Sequence, residues 1–132
     1  MVYKASSLGG RITDSVVSSS RIGFPTTDYV FASAVTLTTS QLKGGYITHD
    51  NIDNVDRTVT VPDVVDLEAA YEDLEVGFTL PLFVDNKAAN IVTMAPGAGV
   101  TPSGNMVVGA TNNATFWMRR EGGTSWNIVR VS

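Results

Sequence analysis

The sequence predicts a mainly β fold: an antiparallel β-sandwich or jelly-roll-like domain with one short helix and an extended N-terminal arm. Three observations lead there. Eighteen Val and fifteen Thr stand in a chain of 132 residues of which 17% are charged. That composition favours pleated strands and falls short of the roughly one-quarter charge usual in soluble proteins. From Ala34 onward, short apolar and hydroxyl-rich segments alternate with Gly, Pro, Asn and Asp clusters, at the spacing of roughly ten residues typical of sandwiches and barrels. Only Val64 to Leu74 holds a helical period for longer than a turn.

Residues 1–33 read differently from the rest. They contain Gly9, Gly10, Gly23, Pro25 and seven of the eleven serines, with apolar residues scattered and no lasting period. Val16, Val17, Ile22, Phe24, Tyr29 and Phe31 are too apolar for a solvated tail and are the candidate contacts with a neighbouring subunit. The division drawn is an extended arm over 1–33 and a β-sandwich domain over 34–132. One irregular edge strand of the same domain is the other reading of the first segment.

Within the domain, Ala34 to Thr38 alternates as a half-buried strand. Thr38-Thr-Ser-Gln-Leu-Lys-Gly-Gly45 then reads as one helical turn with a hydroxyl cap, stopped by the double glycine. Tyr46 to His49 and Thr58 to Val61 are strands around a polar loop. Pro62 opens the helix, on which Val64, Leu67, Tyr71 and Leu74 share one face, and Asp63, Asp66 and Glu68 complement its positive end. Val76, Phe78, Leu80, Leu82 and Val84 point one way along a strand; Pro81, on the opposite face, marks an edge or a bulge. Ile91 to Ala95, Val100-Thr101, Met106 to Val108 and Ala114 to Arg120 follow, and Glu121-Gly-Gly-Thr124 closes a hairpin with Ser125 to Val131.

Composition excludes several classes of function. The absence of Cys removes disulfides, thiolate metal sites and Cys nucleophiles. A net charge of −4 argues against binding nucleic acid, which needs clustered Lys and Arg. No membrane contact is expected, because the longest apolar-rich segment, Val76 to Val84, is about half of what a helix needs to cross a bilayer. Met1 to Ser20 mixes Lys4, Arg11, Asp14 and serines, unlike a secretory leader.

No motif assembles a catalytic or cofactor site. His49, the single histidine, lies beside a polar turn without a Gly-x-Ser-x-Gly elbow and reads as a surface loop residue. Asp50, Asp53 and Asp56 offer hard oxygen ligands but miss the calcium-loop spacing, so they read as turn formers and no metal is expected. Pro96-Gly-Ala-Gly99 and Glu121-Gly-Gly-Thr124 lack the Lys and the helix that a phosphate loop requires. Trp117 and Trp126 could stack on sugars or bases, although a Trp in a small β domain more often belongs to a core or an interface. Asp50 to Glu75 carries a local charge of −8, leaving +4 on the remainder. This asymmetry fits either pairing with a basic partner or a solvated acidic face.

The segments Val35 to Thr48, Thr58 to Pro62, Gly77 to Asn86, Gly97 to Thr101, Phe116 to Arg120 and Trp126 to Val129 occur in an order that resembles small virion structural proteins. The family is that of double-stranded DNA viruses, chiefly tailed bacteriophages and also some large eukaryotic DNA viruses. The resemblance covers about three-quarters of the chain and leaves out residues 1–33. It implies a capsid decoration or cement protein located in the virion, without catalytic residues or cofactor. Its partners would be the major capsid protein or other virion proteins, and a homotrimer would suit the three-fold positions of a shell. The alternatives are a receptor-binding or head domain of a tail fibre or spike, gripping glycan through exposed Trp or Tyr, and a penton or minor capsid jelly roll.

Overall fold

The structure, a computed structural model, describes residues 27–50, 55–71, 74–122 and 124–132. Among these residues ten strands and two helices follow one another as β1 (Thr27–Phe31), β2 (Val35–Thr36), α1 (Thr39–Gly44), β3 (Gly45–His49), β4 (Arg57–Thr60), α2 (Val64–Tyr71), β5 (Thr79–Asn86), β6 (Val92–Ala95), β7 (Val100–Ser103), β8 (Val107–Val108), β9 (Asn113–Gly122) and β10 (Ser125–Arg130). The fold is mainly β, as expected, with a second helix where the sequence indicated a single capped turn.

The strands form a six-stranded sheet, ordered β1-β3-β5-β9-β10-β7, and a four-stranded sheet, ordered β2-β4-β6-β8. From β1 to β8 the chain alternates between the two, so that the first six strands make three windings of a coil. Within each sheet, successive windings lie parallel: β1 on β3 on β5, and β2 on β4 on β6. Antiparallel pairing is confined to β5 with β9, β9 with β10, and β6 with β8, while β7 lies parallel to β10. The expectation of an antiparallel sandwich is therefore corrected to mixed sheets. Parallel neighbours need long crossover connections, and here each return passes through the opposite sheet, with α1 on the first and α2 on the second.

Local chemistry sets the helix boundaries. At α1, the Thr38 hydroxyl accepts the Gln41 N–H (3.1 Å) and the Gln41 carbonyl Oε1 accepts the Thr38 N–H (2.9 Å), a reciprocal cap that satisfies two otherwise unpaired donors. Gly45 ends the helix at φ 79°, a conformation that costs a glycine little. At α2 the capping carboxylate belongs to Asp63, whose Oδ1 accepts the Asp66 N–H at 3.0 Å, so Pro62 stands one residue before the cap instead of opening the helix. Leu67 and Tyr71 are buried, and Val64 and Leu74 pack against the same core, which is the face the period identified.

One hydrophobic cluster fills the space between the sheets. Its largest members are Trp126, Phe116, Leu42, Ile47, Leu67, Leu82, Met94, Met118 and Ile128. Each such side chain, fully removed from water, contributes about 1.5–3 kcal/mol. In β5, Leu82 and Val84 are buried and Leu80 is half-buried, whereas Val76 lies before the strand and is exposed. Pro81 is in an inner strand and not at an edge. Its cross-strand partner is Trp117 of β9, while β3 pairs with β5 only from Phe83 onward, so Pro81 occupies a stretch with a strand neighbour on one side.

The described part of the first segment also differs from an arm. Thr27–Phe31 is a strand laid parallel on β3, and Phe31 is buried against His49 with ring centroids 5.0 Å apart. For these residues the edge-strand reading replaces the arm, because Phe31 completes the core wall above His49. Val16, Val17, Ile22 and Phe24 lie outside the described residues, as does the side chain of Tyr29.

Candidate functional site

Among the described residues, the most accessible aromatic group lies on the outer face of the six-stranded sheet. Alternation along β9 sends Ala114, Phe116 and Met118 into the core and therefore Thr115, Trp117 and Arg119 outward. Trp117 remains 46% exposed. Its cross-strand neighbours are Pro81 on β5 and Val129 on β10, both half-buried. In the adjacent row Thr115 faces Phe83, and Phe83 faces Tyr46 on β3, with ring centroids 5.0 Å apart at 42°. The Tyr46 hydroxyl donates to Asp85 Oδ2 at 3.3 Å. An apolar strip thus crosses four strands.

Polar groups border it. On the Arg119 side, Glu121 Oε2 accepts from Asn127 Nδ2 at 3.1 Å and pairs with Arg119 Nε at 3.5 Å. Arg119 and Glu121 neutralise each other locally; Arg119 and Asn127 stand in the row next to Trp117, and the Glu121 carboxylate reaches back to them from one row further on. The arrangement can stack a planar or C–H-rich ligand and hydrogen-bond its periphery. Trp126 cannot take part: it is fully buried, touches Tyr71 (centroids 5.9 Å), and points its indole N–H at Glu68.

Two polar clusters, the first half-buried and the second fully buried, are structural. Glu68 receives Arg120 Nε (2.9 Å) and Nη2 (2.8 Å) in a bidentate pair, and Trp126 Nε1 donates to its Oε2 at 2.6 Å. Arg120 Nη1 also donates to the Leu74 carbonyl. The Arg120 hydrogen bonds, followed by the Trp126 bond, hold the Glu68 carboxyl below the ordinary carboxylate value, and the same pair raises Arg120. This cluster fastens α2 to the β9–β10 hairpin. Burial alone pushes the Tyr71 phenol up.

The second cluster centres on Asn86, which is 0% exposed. Its Nδ2 donates to the carbonyls of Asn90 (2.6 Å), Gly109 (2.9 Å) and Val108 (3.3 Å), and its Oδ1 accepts the Ala88 N–H (3.1 Å). Oδ1 is thereby an acceptor, so His49 Nδ1, at 2.9 Å, must be the donor. The expectation of a surface loop for His49 is corrected: it ends β3 at 0% exposure, beneath Phe31. Its Nε2 has no hydrogen-bond partner. Among the described residues no hydroxyl is hydrogen-bonded to this ring, which acts as a wall of the core.

Asp56 uses its Oδ1 to accept the Ile91 N–H at 3.1 Å, a long-range bond to the start of β6 and not the local turn bond expected, while Asp53 lies outside the described residues. Among the described residues no group of three or more His, Asp or Glu is placed to hold a metal ion, and no helix is long and apolar enough to cross a membrane. Sequence reasoning missed the Asn86 cluster and did not separate the two tryptophans. The alternation of Ala114, Phe116 and Met118 was the signal that could have placed Trp117 outside. No protein-family model, no curated protein and no solved structure matches the chain.

Proposed function

We propose that the chain is a structural subunit of a virus particle, a capsid decoration or cement protein that stabilises the shell by binding the major capsid protein or another virion protein. The observation that carries this reading is where the chain enters the fold. Among the described residues β1 is the outermost strand of the six-stranded sheet, so the preceding residues, with Val16, Val17, Ile22 and Phe24 among them, join the domain at the rim of that sheet. A segment reaching a neighbour from a sheet rim can add to its strands and fill its pockets, which is the recognition mode a cement subunit requires. Low charge, the resemblance noted above and the structural use made of His49, Asn86, Glu68 and Arg120 agree with it.

Three-fold assembly follows as part of the proposal, since closed symmetry lets identical rims meet without open-ended growth. The test is copy number. Purified particles should retain the chain at near-stoichiometric shell copy number, and a protein with residues 1–26 deleted should fold but be retained less. A few copies per particle, recovered with the tail, would instead make it a fibre head and refute the cement role.

A further inference from the structure

We infer that the outer face of the six-stranded sheet is a binding site for a neutral oligosaccharide, one sugar ring stacking on the Trp117 indole while its hydroxyls reach the Arg119, Glu121 and Asn127 side chains. The inference stands apart from the capsid reading, because it rests on the sheet face and not on the rim at β1.

Size decides between occupants. The strip of Tyr46, Phe83, Pro81, Trp117 and Val129 spans four strands. Neighbouring strands lie about 4.8 Å apart and outward residues about 7 Å apart along a strand, so the strip measures roughly 14 by 7–10 Å, on the order of 100–150 Å². A stable protein interface needs about 800 Å² on each partner, several times more. The rows on either side carry polar groups: Thr79, Arg119, Asn127 and Thr101 on one, Asp85 and Asn113 on the other, where Thr48 is already buried and only Val30, at the β1 rim, exposes an apolar side chain. A second copy or a protein partner would have to desolvate these rows to gain the missing area. A short chain of sugar rings needs only the strip and its border.

Chemistry selects the ligand class. The face of an indole carries negative quadrupole density, which attracts the weakly positive axial C–H groups of a pyranose. Pro81 and Val129 flank the indole on both sides along the sheet, so a flat C–H face loses water against all three. Glu121 is already paired with Arg119 and bonded to Asn127, which fixes a carboxylate acceptor and an amide in place for sugar hydroxyls. The pairing leaves no net positive charge there. Asp85, which accepts the Tyr46 hydroxyl on the same face, adds no cation. Sialylated and sulfated glycans, and nucleic acid, are therefore disfavoured.

The experiment uses the labelled full chain on an array of neutral hexose and N-acetylhexosamine oligosaccharides alongside sialylated and sulfated ones. Neutral chains should be retained, with little change on raising salt. Trp117→Ala should lower the apparent affinity by about ten-fold or more, the size expected for loss of one ring stack, with Trp117→Phe intermediate. Asn127→Ala should weaken binding on an unaltered stacking face. Because Trp117 is half exposed, its variant should melt as the parent does, which separates lost binding from lost fold. Retention of no glycan, retention of charged glycans only, or retention unchanged by Trp117→Ala overturns the inference. So does a self-association in sedimentation that Trp117→Ala abolishes without any glycan binding, which would make a second copy the occupant.

Discussion

Replacing Asn86 by alanine removes one amide that five groups share. Its oxygen takes the Ala88 N–H and the His49 Nδ1–H, and its nitrogen supplies the carbonyls of Asn90, Gly109 and Val108. Both Asn86 and His49 are 0% exposed, so water does not reach the donors left behind. A buried donor stripped of its acceptor costs about 1–3 kcal/mol, and two are stripped here; the carbonyls, each with a second lone pair, add less. The expected loss is about 3–5 kcal/mol, a large part of the roughly 5–15 kcal/mol that holds a domain together. In urea, with a slope of about 1–3 kcal/mol per molar, the midpoint should fall by roughly 2 M. Asn86→Asp tests the donor half separately. Its ionised carboxylate would face carbonyl oxygens, while the protonated acid can still donate to one, so its deficit relative to the parent should narrow as pH falls. A midpoint shift under about 0.5 M for Asn86→Ala, at unchanged slope, would refute the reasoning.

Three further outcomes are expected. Leu67→Ala should cost about 2–5 kcal/mol in urea unfolding, because the side chain is fully buried on the α2 face; an unchanged midpoint would place that face in solvent. Since Arg120 and Trp126 hold the Glu68 carboxyl below its unfolded value, its contribution is present above the unfolded value and lost as pH falls through the folded one. Glu68→Gln should therefore flatten the acid limb of the stability profile, and an unaltered limb would remove Glu68 from it. Thr111→Gly should raise the melting temperature, by about 0.5–1 kcal/mol of stability, since a β-branched residue is held at φ 53° in the turn before β9; a lower melting temperature would show that the hydroxyl bond to the Ala110 carbonyl outweighs the strain.

What the sequence disclosed is what neighbouring residues decide among themselves. The Thr38–Gln41 cap, the stop at Gly45, the Val64–Leu67–Tyr71–Leu74 face and the Glu121–Thr124 hairpin each depend on contacts a few residues apart. Strand direction does not. Alternation of Leu80, Leu82 and Val84 says which side faces the core but is silent on whether the neighbour runs with or against it, and so the parallel coil was not visible. His49 was misplaced for a related reason: Phe31 and Asn86, eighteen and thirty-seven residues away, bury it. Pro81 reads as an edge signal only until the short β3 is seen to begin its pairing two residues later. The outer strip was not legible, because the register that turns Trp117 outward and Trp126 inward is set by the hairpin, where Trp126 pairs with the half-buried Arg120 and Trp117 with Val129.

A stack of parallel windings carries no stop of its own, since each new strand presents the same edge as the last. In both sheets the stop is a reversal: β9 runs antiparallel on β5, and β8 runs antiparallel on β6. The parallel stack is therefore closed at one end by antiparallel strands, and one continuous core joins its windings. A whole winding inserted ahead of β5 would renew the same parallel edge for the antiparallel strands to close. An insertion of a single residue within a strand cannot do this, as it would turn the following side chains of that strand toward the wrong side of the sheet.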